Sequence, residues 1–141
     1  MLVFILLHLY VTRRSFIREL VLVLVSATIG LGLDNALAST GFVMYVGTPS
    51  MGYAPLWLVA IWAGFGTTVR HSQDLFFRSG GHAFLTGFFG GPLAYAGGVK
   101  LGCIQVTSVW GYALIGLFWT VAMILLFYCR GKGPAPQSSI E

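Results

Sequence analysis

Charged residues are scarce in this chain. Of 141 residues, eight are lysine or arginine and four are aspartate or glutamate, together 9% of the sequence, whereas an ordinary soluble domain carries about 25%. Hydrophobic residues make up 57%, and a small soluble domain buries only about two thirds of its unfolded surface. A water-soluble fold of this size is therefore excluded by composition, which indicates a protein whose solvent is lipid.

Cysteine is equally rare, and its placement argues against metal or redox chemistry. The two cysteines, Cys103 and Cys129, form no Cys-x-x-Cys pair and have no pair of histidines nearby. We therefore expect no metal site and no cofactor. The formal net charge of +4 comes from basic residues scattered at segment ends rather than on one continuous face, so nucleic acid is not an expected partner.

Apolar runs separated by basic residues predict an all-α fold, a polytopic transmembrane bundle. A spanning helix needs about 20 apolar residues, and four runs meet that length, residues 20–39, 55–76, 83–99 and 109–129. Residues 1–11 reach only about 16 Å at about 1.5 Å per residue, so this segment is interpreted as part of a longer helix or as a short helix inserted among the others. Residues 1–130 then form one domain, and residues 131–141 are predicted to be a disordered tail.

The basic residues also predict an orientation. Seven of the eight lysines and arginines lie in connections on one side of the predicted bundle, and only Lys100 lies on the other. Because cytoplasmic loops carry the excess of positive charge, the basic loops and the C-terminus are predicted to be cytoplasmic, in a bacterial inner membrane. Tyr45, Tyr53 and Trp57 are predicted as aromatic anchors at the outer interface.

Small residues recur every four positions in the third predicted helix. The stripe consists of Gly90, Ala94, Gly98 and Gly102, with Gly87 and Gly91 as a second pair. In lipid, such stripes let helix backbones approach closely, so these positions are predicted to pack helices, with ligand binding as the alternative. Pro92 lies in the same helix and frees a backbone carbonyl, from which a kink is expected.

The prediction places one carboxylate, Asp34, inside the membrane. Burying an ionised carboxylate in hydrocarbon is costly, so it should face the bundle interior and be paired or protonated. At about 1.5 Å per residue, Asp34 lies about 22 Å from the inner boundary and Tyr95 about 18 Å, which predicts a hydrogen bond between them; Trp57 lies at a comparable level. Two interpretations stay open, a structural polar pin between helices and a functional carboxylate.

Polar residues also collect at the cytoplasmic end of the second predicted helix. His71 could act as a general base and Arg70 as a clamp for a phosphate or carboxylate group. The stretch has no metal-ligand pattern, nucleophile elbow or phosphate loop, and arginine and histidine are common at interfaces without catalysis. Asp34, Tyr95, Arg70 and His71 are therefore candidates with no assigned catalytic role. His8 is expected to pair inside the bundle.

Several sequence blocks in order resemble a known family. They are Gly-Leu-Asp ending at Asp34, Ala54-Pro55-Leu56-Trp57-Leu58 with Trp62, Thr67-Thr68-Val69-Arg70-His71-Ser72, and Gly90-Gly91-Pro92-Leu93-Ala94-Tyr95-Ala96-Gly97, closing at Leu101-Gly102. From about Arg13 to Arg130 the chain resembles the bacterial domain-of-unknown-function family DUF2878, whose members are multi-pass membrane proteins. The resemblance implies a further upstream helix and a complete second one, so the given sequence is expected to begin inside that second helix, and Asn is typical of the family where this chain has Arg70.

The resemblance also implies a setting. Relatives often appear beside genes for cyclopropane-type fatty-acid enzymes and envelope proteins, which suggests membrane-lipid modification or the envelope stress response. Three hypotheses follow: a non-catalytic accessory or partner protein, an intramembrane lipid-modifying enzyme, and a small oligomeric proton-coupled transporter. The expected partners are membrane lipids and other membrane proteins or a second copy of the chain.

Overall fold

The described part of the chain is predominantly helical. The structure is a computed structural model, and it describes residues 1–47, 53–70 and 77–129. Five helices lie in these ranges: α1 Leu2–Val11, α2 Phe16–Ser39, α3 Leu56–Thr68, α4 Gly80–Lys100 and α5 Val109–Cys129. Two short strands, β1 Val43–Tyr45 and β2 Ile104–Val106, follow α2 and α4.

The helix bounds agree best with the sequence prediction at the C-terminal end of the bundle. Helix α5 begins and ends where the fourth run was predicted, whereas α2 begins four residues earlier than expected. Helix α3 ends at Thr68, and residues 71–76 of the predicted second span lie outside the described residues. So does the predicted tail, residues 131–141.

Length and apolar character together single out two candidate spans rather than four. They are Arg13–Ser39, which includes the 3-10 turn before α2, and Val109–Cys129. Helices α1 and α3 are apolar but have only 10 and 13 residues. Helix α4 has 21 residues, about 31 Å at 1.5 Å per residue, although its glycines lower its apolar content.

A two-stranded antiparallel sheet corrects the all-α prediction. Val43 pairs with Val106 and Tyr45 with Ile104, and flanking backbone bonds extend the ladder at Val46. Three-residue strands leave too short a pattern to be recognised beside long helices. The sheet joins the connection after α2 to the connection after α4, so both connections lie at one end of the bundle.

The sheet fixes the directions of the helices. Helices α2 and α4 both end next to it, so they run the same way, and α5, which begins three residues after β2, runs back. The backbone N–H of Ala54 donates to the Asn35 side-chain oxygen at 2.8 Å, which places the start of α3 beside the end of α2. Helices α2 to α5 therefore alternate in direction, as the sequence predicted.

Local signals account for both ends of α4. The Ser79 side chain accepts a hydrogen bond from the backbone N–H of His82 and caps the first turn. At the other end, Gly102 N–H donates to the Val99 carbonyl and Cys103 N–H to the Gly98 carbonyl. This is a Schellman motif, and its left-handed residue is Gly102, with φ at 72°.

The core forms where two helix pairs meet. Helix α4 packs along α5 and α2 along α3, and α2 also contacts α5, whereas α3 and α4 share no extensive direct packing. Between these elements lie fully buried side chains such as Leu37, Ile115 and Leu126. The helices α3 and α4 therefore leave a gap between them, and the cavity described below lies in this gap.

Candidate functional site

A buried polar cluster surrounds Asp34, which is 1% exposed. One carboxylate oxygen accepts hydrogen bonds from the hydroxyls of Tyr45, at 3.2 Å, and of Tyr95. The other accepts from the Trp62 indole N–H at 2.8 Å. The two tyrosine hydroxyls are also 3.1 Å apart. One carboxylate thus receives three donors from three different elements, β1, α4 and α3.

Small residues on α2 bring the Trp62 donor to the carboxylate. A Cβ on Gly30, one turn before Asp34, would lie 2.0 Å from the Trp62 ring, so only glycine leaves room for the indole. One turn further back, the Ser26 hydroxyl donates to the Trp62 backbone carbonyl at 2.7 Å. Ser26, Gly30 and Asp34 share one face of α2 because their spacing is four residues.

The sequence predicted part of this cluster. The predicted bond between Asp34 and Tyr95 is present. Trp57, which the sequence predicted at the same depth as Asp34, is 40% exposed and lies at the protein surface. The indole that donates to Asp34 is that of Trp62. Tyr45, predicted as an interface anchor, is 7% exposed and points inward. Only the structure shows that Tyr45 points inward: Val43 and Tyr45 are both buried in β1, but Met44 between them is also hydrophobic, so the sequence has no alternation that indicates it.

Tyr45 remains a hydrogen-bond donor throughout the physiological pH range. Burial, followed by the charge of the nearby Asp34, raises the pKa of the Tyr45 hydroxyl above its ordinary value, because both effects disfavour a phenolate. A tyrosine held protonated suits the role of a fixed donor to a carboxylate.

A second buried carboxylate, Glu19, corrects the prediction of a single one. Glu19 lies in the first turn of α2, inside the candidate span, and is 1% exposed. Its oxygens contact Arg70 at 3.1 Å and His8 at 3.2 Å. The sequence missed Glu19 because the predicted span began one residue later, although the expected pairing of His8 is present.

Of the two candidate residues predicted at the end of α3, Arg70 and His71, the structure describes only Arg70. Arg70 acts as a carboxylate clamp toward the chain's own Glu19, and His71 lies outside the described residues. Glu19 and Asp34 are 15 residues apart on α2, about 22 Å along its axis, so the two carboxylates belong to opposite ends of the helix. The Arg70 group and the Asp34 cluster are two separate sites.

The small residues of α4 differ in what they contact. A Cβ on Gly87 would lie 2.5 Å from the Thr120 Cα, one on Gly91 would lie 2.4 Å from the Trp119 ring, and one on Gly98 would lie 2.6 Å from Ile104. At Gly90 the nearest atom is 3.8 Å away. The remaining members of the predicted set are Ala94, which is exposed, Pro92, inside α4, and Gly102, beyond its end.

A cavity of about 300 Å³ lies between α3 and α4, next to the Asp34 cluster. Its lining is almost entirely apolar, and Trp62 and Tyr95 form part of its wall. Asp34 does not line it, so the two aromatic donors separate the carboxylate from the cavity. Trp119 of α5 is also part of the lining, and its ring centroid lies 4.7 Å from that of Trp62.

Among the described residues, neither carboxylate belongs to a group of three metal-binding side chains. Across residues 1–47, 53–70 and 77–129, no three His, Cys, Asp or Glu side chains come together to hold a metal ion. The Asp34 cluster offers one carboxylate, two hydroxyls and an indole, which suit hydrogen bonding and proton exchange.

The comparisons with known proteins give a family and no further relative. A family model described as a protein of unknown function, DUF2878, matches residues 1–125. The match includes α1, which lies before the blocks that carry the sequence resemblance. No curated protein and no solved structure matches the chain.

Proposed function

The chain belongs to the DUF2878 family of proteins of unknown function, and we propose that it is an integral protein of the bacterial inner membrane and a non-catalytic partner in membrane-lipid modification. The observation that carries the proposal is the closed hydrogen bonding of Asp34, whose two oxygens are engaged by three internal donors. This is the geometry of a structural pin.

The distribution of polar and apolar side chains supports the membrane location. Large apolar side chains cover the outside of the helices, among them Leu24 at 57% exposure, Leu93 at 76% and Val121 at 51%. Polar side chains lie inside, namely Glu19, Ser26, Asp34, Thr67 and Thr120. An exposed apolar surface of this extent is an aggregation hazard in water, whereas buried polar groups and apolar exteriors are the rule in lipid.

The position of Asp34 behind its donors favours the non-catalytic role. A catalytic carboxylate has to reach the reacting atoms, but Trp62 and Tyr95 stand between Asp34 and the cavity. The lipid-modification setting comes from the family resemblance, and the envelope stress response is the other setting that it suggests.

An intramembrane lipid-modifying enzyme is the second candidate. The contact of Tyr95 with both the cavity and Asp34 favours it, because a ligand in the cavity would touch a side chain whose hydroxyl donates to the carboxylate. The proton-coupled transporter would depend on the same carboxylate and on a kink at Pro92. In the structure α4 continues as a single helix on both sides of Pro92.

Deleting the gene is expected to change the phospholipid acyl-chain profile, measured by mass spectrometry, and wild type should restore it. Tyr95→Phe separates the two candidates because it keeps the ring and removes the hydroxyl. A partner protein carrying Tyr95→Phe should restore the profile once its abundance matches wild type. Failure to restore at equal abundance would support the enzyme, and an unchanged profile in the deletion strain would contradict a role in lipid modification.

The orientation has its own test, since both cysteines are exposed. Cys103 lies beside the sheet at the predicted outer end, and Cys129 ends α5 at the predicted cytoplasmic end. A membrane-impermeant maleimide applied to intact spheroplasts should label Cys103, and Cys129 only after permeabilisation. Cys103→Ala and Cys129→Ala serve as matched controls, and labelling in the reverse order would contradict the positive-inside prediction.

A further inference from the structure

We propose that the groove at the turn between α1 and α2 binds the headgroup of one anionic phospholipid of the cytoplasmic leaflet. Its arginines, Arg13, Arg14 and Arg18, bind the phosphate, and exposed apolar side chains beside them contact the acyl chains. The inference rests on the membrane location given under the proposed function, and it adds the class of lipid and the place where it binds.

The groove is a concave site built from consecutive residues. His8 of α1 contacts Glu19 of α2 at 3.2 Å, so the chain turns sharply between the two helices. The groove at this turn has a volume of about 590 Å³, within the range of ligand pockets. Its lining comes from the 3-10 turn and the first residues of α2, namely Arg13, Arg14, Ser15, Phe16, Ile17 and Arg18. Half of these side chains are positively charged, and none is negatively charged.

The positive charges of the groove lack an internal counter-charge. The carboxylate nearest to them in sequence, Glu19, is buried and has His8 and Arg70 as its partners. In the part of the chain that the structure describes, the three arginines of the groove form no ion pair, and all three are exposed. An anion is therefore the complementary ligand, and the planar guanidinium group matches the oxygens of a phosphate.

The groove lies at the level of the lipid headgroups. The candidate span Arg13–Ser39 has 27 residues, which reach about 40 Å at about 1.5 Å per residue, whereas the hydrocarbon core is about 30 Å thick. The ends of the span therefore extend into the headgroup regions, and the arginines lie in its first turns. This end is opposite the small sheet, on the predicted cytoplasmic side, where anionic lipids attract basic segments next to a span.

Apolar side chains in the same groove favour a lipid over free phosphate. Ile17 is 74% exposed and Phe16 is 43% exposed, and both follow the first two arginines directly. The guanidinium carbon of Arg13 lies 5.9 Å from the centroid of the exposed Tyr10 ring, and tyrosine is enriched at membrane interfaces. A phospholipid offers its phosphate to the arginines and its acyl chains to Phe16 and Ile17, whereas free phosphate leaves both apolar side chains uncovered.

The test measures lipid binding to the whole purified protein in detergent by native mass spectrometry. Wild type should bind one phosphatidylglycerol more tightly than the zwitterionic phosphatidylcholine. Arg14→Gln and Arg18→Gln should each weaken phosphatidylglycerol binding about fivefold, the effect of one basic side chain at an anionic surface. Arg78→Gln is the matched control, because Arg78 is exposed just before α4, at the same end of the bundle, and does not line the groove. It should leave the affinity unchanged.

The outcomes separate a defined site from diffuse attraction. If Arg78→Gln weakens binding as much as Arg14→Gln and Arg18→Gln do, positive charge anywhere at this end attracts the lipid and the groove is not a site. Unchanged affinity in folded Arg14→Gln and Arg18→Gln proteins would overturn the proposal as well. The thermal unfolding temperature of each variant, compared with wild type, shows whether it is folded.

Two further measurements distinguish the source of the phosphate and the failure of the membrane location. Excess inorganic phosphate should displace no more phosphatidylglycerol than sodium chloride does at the same ionic strength, and specific displacement would assign the groove to free phosphate instead. A protein that does not float with phospholipid vesicles contradicts the membrane location itself. A floating protein without a preference for phosphatidylglycerol contradicts the headgroup site alone.

Discussion

Replacing Asp34 by alanine should lower the free energy of unfolding by about 2–4 kcal/mol, because a buried hydrogen-bond donor that loses its acceptor costs about 1–3 kcal/mol. Three donors lose their acceptor together: the hydroxyls of Tyr45 and Tyr95 and the indole of Trp62. Equilibrium unfolding by steric trapping in bicelles measures the change. Polar contacts between membrane helices are individually modest, so the effect depends on their number.

The matched variants remove the donors as well as the acceptor. In the Asp34→Ala background, Tyr45→Phe and Tyr95→Phe should restore at least half of the lost stability, since removing both partners of a buried hydrogen bond can be nearly neutral. Tyr10→Phe, at an exposed tyrosine, is the control and should have no effect. If Asp34→Ala unfolds like wild type, the carboxylate is not a structural pin, and the catalytic interpretation of Asp34 gains support.

Gly87→Ala is expected to cost about 2–3 kcal/mol, the upper part of the range for overpacking a well-packed contact. The added Cβ would lie 2.5 Å from the Thr120 Cα and 2.8 Å from the Trp119 carbonyl oxygen. Both are backbone atoms of α5, so relief requires separating the two helices. Thermal unfolding of the purified protein, followed by intrinsic tryptophan fluorescence, gives the comparison.

Gly90→Ala is the control for that substitution. Its nearest neighbour is the Thr86 methyl group of the same helix, at 3.8 Å, and alanine stabilises a helix interior by about 0.5–1 kcal/mol relative to glycine. Gly90→Ala should therefore unfold at the same temperature as wild type or higher. Equal losses for the two variants would show that glycine acts along the whole α4 stripe rather than at its contact with α5.

The backbone carbonyl that Pro92 leaves without its helical donor lies at a close contact between α4 and α5. Pro92 cannot donate to the carbonyl four residues earlier, that of Phe88. A Cβ on Gly116 of α5 would lie 2.8 Å from the Phe88 oxygen and 3.4 Å from the Pro92 ring. Only a glycine on α5 lets the helices meet at this point, so Pro92 and Gly116 act as a matched pair.

The sequence by itself determined the helical class, the bounds of α5, the alternating helix directions and the contact of Asp34 with Tyr95. These features depend on local quantities, the length of an apolar run and the rise of 1.5 Å per residue, which convert position in the chain into depth. Depth is enough to predict which residues share a level. The pairing of His8 within the bundle follows from the same kind of reasoning, because polar groups in an apolar bundle pair with one another, whereas its partner Glu19 was not predicted.

Only the tertiary structure decided which neighbours surround each residue at a given depth. Trp57 and Trp62 lie on one helix, but the rotation of α3 about its axis turns Trp62 toward Asp34 and leaves Trp57 at the surface. Rotation is set by how side chains and glycines of all the helices fit together, and no single segment encodes it. The same fit selects Gly87 over Gly90, folds Tyr45 inward through the small sheet, and leaves the cavity between α3 and α4.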